Sequence, residues 1–399
     1  MIRLPTLVQK FPFLLLALLM SCTAGRTTLP TSPDDMMLQP HLDAVRQQYA
    51  PDKRTALFQV EAHGHVLAGE TNLPEAKEAL LDRLQAANIP FQDSIQVLPA
   101  PDLASRNRAL VTISVANLRT QPRHAAELAT QATLGTPLKV WKKDGSWYLV
   151  QTPDAYLAWV DAGGISLFDE AGFNDWQEQP KVLYTEPYGF AYAAADAGGA
   201  TVSDLVYGDV LVLKGQQQDF FEVVFPDGRS GYIPTGSSVI YEDWLAKRQP
   251  TAENLVQASR RLLGVPYLWG GTSFKGVDCS GFTKTIYFMN GLVLPRDASQ
   301  QIHIGELVDT STGWEQLRPG DLLFFGVPAT EGKPERVVHV GMWIGGDMEF
   351  IHASGRVRIS SMNPAAANYD ASERERFLRA KRIRPQDALL DLRTAALYE

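Results

Sequence analysis

The pattern of apolar and polar positions divides this chain into regions of different rhythm. At its start, Arg3 and Lys10 lead into an apolar run from Phe11 to Met20. The run is too short to span a bilayer comfortably and small residues follow it, which is the layout of a secretory signal over residues 1–21. Residues 22–37 are polar and rich in Pro, Ser and Thr, and predict a flexible tether. Residues 38–105 read as a small α/β unit. It has a strand-like run from Ala56 to Gly69, a helix from about Leu73 with Pro74 near its start, and a further strand over Ser94–Pro99.

An internal repeat follows. Gly135, Leu138, Val140, Val150, Pro153 and Asp154 recur 73 residues later as Gly208, Leu211, Leu213, Val223, Pro226 and Asp227. Trp147 and Phe220 match at the same offset, as do Trp159 and Tyr232. Both copies alternate apolar and polar residues in short runs joined by turns such as Asp144-Gly145 and Asp227-Gly228. With no helical stretch between them, residues 106–180 and 181–246 predict two tandem small β-barrels, a single β-sandwich being the other arrangement.

Residues 247–390 form the last unit. Thr251 caps a helix that carries Leu255, Ala258, Leu262 and Leu263 on one side and ends at Gly264. The spacing of Phe282, Ile286 and Met289 predicts another helix, with Cys279 at or near its N-terminus. Arg336–Ile344 alternates as a strand, with Val338, Val340, Met342 and Ile344 on one face and His339 on the other. A second strand, Met348–His352, also ends on a histidine.

Charge and cysteine usage narrow the chemistry. The formal net charge of −8, with no basic cluster, argues against nucleic acid as a partner. Of only two cysteines, Cys22 sits at the end of the export signal, so Cys279 is a free thiol in an exported protein. A helix N-terminus and a neighbouring imidazolium both favour a thiolate, the condition for a cysteine nucleophile. Such a thiolate predicts selective labelling of Cys279 by iodoacetamide at neutral pH. His339 is the candidate base and His352 the group that orients it, with Gly341 leaving room beside the imidazole. The remaining histidines are scattered, so neither a metal site nor a cofactor is expected.

Two resemblances extend this reading. Leu19-Met20-Ser21-Cys22 resembles the bacterial lipoprotein processing box, which implies acylation of Cys22 and an anchor in the cell envelope; a plain signal peptide is the other reading. The last 140 or so residues resemble the NlpC-type cell-wall peptidases, a papain-like family. The matching runs are Pro266–Gly271, Asp278–Phe282, Leu294–Asp297, Pro319–Phe325, His339–Ile344 and Ile351–Ala353. The resemblance implies a triad of Cys279, His339 and His352 in an α+β peptidase domain. It also implies that Tyr267 helps the N–H of Cys279 hold the oxyanion.

The repeat resembles the bacterial SH3-like domains of cell-envelope proteins. Two of them ahead of the peptidase resemble the branch that cuts γ-D-glutamyl–diamino acid bonds in murein tripeptides or tetrapeptides with a free N-terminal L-alanine. That likeness implies that Glu127 and Tyr156, with Asp278, Ser280 and Asp297, hold the substrate's ammonium. The chain departs from the branch at Ala155, where the family carries glycine. The other functions weighed are an endopeptidase acting on intact wall, an acyltransferase and a non-catalytic wall-binding lipoprotein.

Overall fold

The computed structural model describes residues 33–103 and 105–394, so the expected signal and Cys22 lie outside the described residues. The first element is a helix, Pro33–Tyr49, which begins inside the stretch read as a tether. Leu38, Leu42 and Val45 recur at helical spacing and are fully buried, and their burial outweighs the cost of Pro40 inside the helix. They pack on Leu80 and Leu84 of the helix Pro74–Ala86 and on a three-stranded sheet. That sheet pairs Phe58–His63 antiparallel with Val66–Thr71, which in turn pairs parallel with Gln92–Val97.

The repeat extends to every strand. Strands begin at Arg108, Val115, Leu128, Pro137, Trp147, Leu157 and Ile165 in the first copy. In the second they begin 73 residues later, at Lys181, Tyr188, Thr201, Val210, Phe220, Ser230 and Ser238. Strand order is also the same in both seven-stranded antiparallel sheets. The expected barrels are not formed: neither sheet closes, and in the first copy the outer strands Ile165–Phe168 and Leu128–Thr133 each have one neighbour. At Leu128–Thr133 the outer strand of the first sheet meets the C-terminal unit. Thr272 there donates its N–H to Gln131 Oε1 and its hydroxyl to the Gln131 carbonyl, both at 3.0 Å, satisfying part of the open edge.

The copies are tied together through Asp209, which is fully buried and accepts from the N–H groups of Val206 at 2.8 Å and Leu134 at 3.0 Å. Gly135, beside Leu134, has φ +78°, and a Cβ there would lie 2.3 Å from the Val210 carbonyl oxygen.

The C-terminal unit is α+β. Its six antiparallel strands run in the order Glu306–Val308, Phe377–Arg382, Leu322–Val327, Arg336–Gly345, Glu349–Ser354, Arg356–Ser361. The helix Cys279–Phe288 packs Phe282 and Ile286 against Val340, Met342 and Ile351. Val338 departs from the expected face, being 40% exposed, and Leu263 is exposed on the helix that buries Leu255 and Ala258.

Gly135 and Gly145 offer a controlled comparison. Both have positive φ, but a Cβ at Gly145 meets nothing within 4 Å. Gly145→Ala should therefore cost only the conformational penalty of about 1–2 kcal/mol, and Gly135→Ala should lower the thermal midpoint further because Val210 must move. Equal midpoints would contradict this packing of the two copies.

Candidate active site

Cys279 is the first residue of its helix, and Asp278 caps that helix by accepting from the Gly281 N–H at 2.7 Å. Asp278 has further partners: Gly270 N–H at 2.9 Å and a two-pronged ion pair with Arg296 at 2.6 and 3.1 Å. Arg296 is 1% exposed and also donates to Ser280 Oγ at 3.1 Å and to Thr130 Oγ1 of the first repeat at 2.9 Å. Breaking such a buried pair by removing one partner typically costs about 3–5 kcal/mol. The sequence alone gives Arg296 no role, although it stands beside Asp297 in the run Leu294–Asp297.

The electrostatics differ from expectation. Cys279 is buried, and burial pushes its thiol up to about 12, with the adjacent Asp278 charge adding to the shift. The Val340 N–H, Arg296 and the Ser280 N–H oppose this without overcoming it. The thiol is therefore neutral at rest, not a standing thiolate.

His339 Nε2 and His352 Nδ1 share a hydrogen bond of 2.8 Å. Burial presses both imidazoles well below their usual value. Arg376 and Arg358 press His339 further, and His339 and Arg358 press His352 further. Both rings are neutral, and Nδ1 is the nitrogen of His339 that His352 does not engage. The room at Gly341 serves His352: a Cβ there would come within 3.1 Å of the His352 Cβ and of the Phe350 ring. His339, His352 and Glu373 bring ligating atoms within 4.8 Å of one another. Glu373 is held by Nε and Nη2 of Arg376, and the two histidines hold each other, so these ligating atoms are already engaged.

One cleft of about 610 Å³ is lined by Cys279, Tyr267, Asp278, Ser280 and Asp297 from the C-terminal unit and by Glu127 and Tyr156 from the first repeat. The Tyr267 phenol is held protonated by burial and by Cys279 and Asp278. Ala155 adopts φ +63°, the left-handed conformation that glycine takes most readily, and Tyr156 follows it into the cleft. The Tyr156 hydroxyl donates to Asp297 Oδ2 at 3.0 Å.

The N-terminal unit also reaches this cleft, which the sequence did not reveal. Arg54 Nη1 donates to the same Asp297 oxygen at 2.7 Å and to Ser299 Oγ at 2.9 Å, while its other nitrogens hold Asp52. Of the carboxylates expected to meet an ammonium, Asp278 and Asp297 are thus already ion-paired. Glu127 has no cationic partner among the described residues, and its Oε1 accepts from Trp269 Nε1 at 2.7 Å. Lys53 and Arg336 line the same cleft without an ion-pair partner among the described residues.

Comparisons with known proteins agree with this layout. Residues 264–373 match the family described as "NlpC/P60 family", and residues 118–165 match that described as "Bacterial dipeptidyl-peptidase Sh3 domain". A protein of Bacillus cereus named gamma-D-glutamyl-L-lysine dipeptidyl-peptidase is 33% identical over 238 residues, 58% of this chain and 68% of that one. Its namesake from Bacillus subtilis is 29% identical over 231 residues, 55% and 70% of the two chains. The crystal structure of an NlpC/P60 family protein from Bacillus cereus superposes with a TM-score of 0.58 at 27% identity, covering 69% of this chain and 99% of that one. An NlpC/P60 endopeptidase from Photobacterium damselae subsp. piscicida is similar in fold, with a TM-score of 0.51 at 14% identity over 92% of this chain and 87% of that one.

The neutral thiol has a direct consequence. With Cys279 titrating near 12, its alkylation by iodoacetamide should be slow at pH 7 and rise about tenfold per pH unit up to pH 10. A rate that is fast and flat between pH 6 and 8 would show a resting thiolate and contradict this electrostatic picture.

Proposed function

The chain belongs to the NlpC/P60 family, and on that premise we propose that it is a cysteine peptidase cutting the γ-D-glutamyl–diamino acid bond of murein peptides with a free N-terminal L-alanine. The observation that carries the reading is the sharing of one cleft by Cys279 and the cation-free carboxylate of Glu127, the latter from another domain. An ammonium taken from water needs such a fixed opposite charge. Lys53 and Arg336 suit the carboxylates that a γ-linked substrate leaves free. The names of the two Bacillus relatives support the same bond.

In this reading the Cys279 proton passes to His339 as Sγ bonds to the γ-carbonyl carbon, because neither group is charged beforehand. The oxyanion faces the Cys279 N–H and the Tyr267 hydroxyl. Collapse breaks the C–N bond, and the departing diamino acid amine takes the proton from His339. Water then hydrolyses the thioester, releasing L-Ala-γ-D-Glu and restoring the thiol. His352 orients His339. Tyr156 and Asp297, joined by Arg54, form the wall beside the ammonium, while Asp278 and Ser280 hold the helix start. Anchoring through Cys22 on an exported envelope protein belongs to the same proposal and rests on the run Leu19–Cys22.

Two enzymes against two peptides test the substrate reading. Acetylating the terminal alanine should lower kcat/KM at least about a hundredfold, equivalent to about 2.7 kcal/mol of transition-state binding. Glu127→Gln should lose much of that on the free-amine peptide and little on the acetylated one. Equal losses on both peptides would mean that Glu127 does not meet the ammonium. Equal rates on both with the parent enzyme would leave an ordinary wall endopeptidase.

A further inference from the structure

Behind the His339–His352 pair the hydrogen bonds continue. His352 Nε2 lies 3.0 Å from Ser360 Oγ, and Ser360 Oγ lies 3.3 Å from Asp370 Oδ2. His352 and Ser360 are buried, so water does not supply alternatives. An ionised carboxylate can only accept, so the Ser360 proton is directed to Asp370. A hydrogen bond to a charged acceptor outweighs one to a neutral imidazole, which fixes that choice. The lone pairs of Ser360 then face His352, which must bring a proton on Nε2.

A neutral imidazole carries one proton, so His352 Nδ1 is bare and can only accept from His339 Nε2 at 2.8 Å. By the same count, His339 Nδ1 is bare. We propose that Ser360 and Asp370 are positioning residues that set the tautomers of both histidines, making Nδ1 of His339 the nitrogen that takes the Cys279 proton. The inference rests on the reading of His339 as the base.

A rival donor is present. Arg358 Nε lies 3.4 Å from His352 Nε2, and by donating there it would impose the opposite tautomers. It is the longer of the two contacts to His352 Nε2, 3.4 Å against 3.0 Å from Ser360, and the same guanidinium also donates its Nη2 to Asp370 at 2.9 Å. Asp370 therefore orients the Ser360 hydroxyl and shares its charge with the competitor's guanidinium. Glu373 adds an independent bias: its Oε1 lies 3.7 Å from His339 Nε2, favouring a proton on that nitrogen.

The test uses the full-length protein with ¹⁵N-labelled histidine at neutral pH. In the parent, both His339 and His352 should show the proton on Nε2. Ser360→Ala removes the acceptor and leaves Arg358 as the partner of His352 Nε2, so both rings should shift to Nδ1–H. On the unblocked tripeptide kcat should fall about 10- to 100-fold with KM nearly unchanged, since the base is then in the wrong tautomer. Ser360→Thr should retain both properties, and Arg358→Gln added to Ser360→Ala should recover part of the loss. An Nδ1–H signal from either histidine in the parent would overturn the inference, as would a Ser360→Ala variant with unchanged tautomers and kcat. The spectra need no turnover: tautomers that move as described in a protein without peptidase activity would uphold the relay and sink the assigned reaction instead.

Discussion

The buried ion pair between Asp278 and Arg296 holds this site together. Asp278 closes the N-terminus of the helix that presents Cys279, and Arg296 neutralises Asp278 while reaching Thr130 in a different domain. A lone carboxylate at that depth would raise the cost of forming a thiolate beside it, and a lone guanidinium would be costly to bury. Paired, they fix where the nucleophile stands relative to the first repeat, and hence relative to Glu127. The open edge of that repeat is part of the same joint, because the Gln131 carbonyl is satisfied from Thr272.

The electrostatic state of the site follows from its burial. A thiol pushed up and imidazoles pressed down both remain neutral across the ordinary pH range, so charge separation is deferred until substrate arrives. In the proposed mechanism His339 needs no deprotonation to act as a base near neutrality. What matters is which ring nitrogen is bare, and that depends on partners lying behind the ring. The acid limb of the kcat profile should accordingly fall below the ordinary histidine range, since protonating His339 must work against burial and against Arg376 and Arg358.

Much of this was legible in the sequence because it is local. Asp278 next to Cys279 and the helical spacing of Phe282 and Ile286 lie within short windows, and the repeat shows as the same short motifs recurring at a fixed offset of 73 residues. Barrel closure was not legible: it depends on whether the outer strands of one sheet meet each other, which no short window of sequence shows. The helix Pro33–Tyr49 was hidden by its prolines and polar residues, since only tertiary contact shows that Leu38, Leu42 and Val45 are covered. Arg54 was invisible for the same reason, its partner Asp297 lying 243 residues away. Glu127, Tyr156 and Asp297 do line one cleft, but the sequence could not show that Arg54 already pairs with Asp297.

The central claim is that a cleft built from separate domains holds Cys279 and Glu127 at the two ends of one short peptide. The most direct measurement is a crystal structure of the Cys279→Ala variant with the unblocked L-Ala-γ-D-Glu-diamino acid tripeptide. The alanine ammonium should lie within hydrogen-bonding distance of Glu127, and the γ-carbonyl carbon beside residue 279 with its oxygen toward the Tyr267 hydroxyl. A tripeptide bound with its amine directed out of the cleft, away from Glu127, would contradict it.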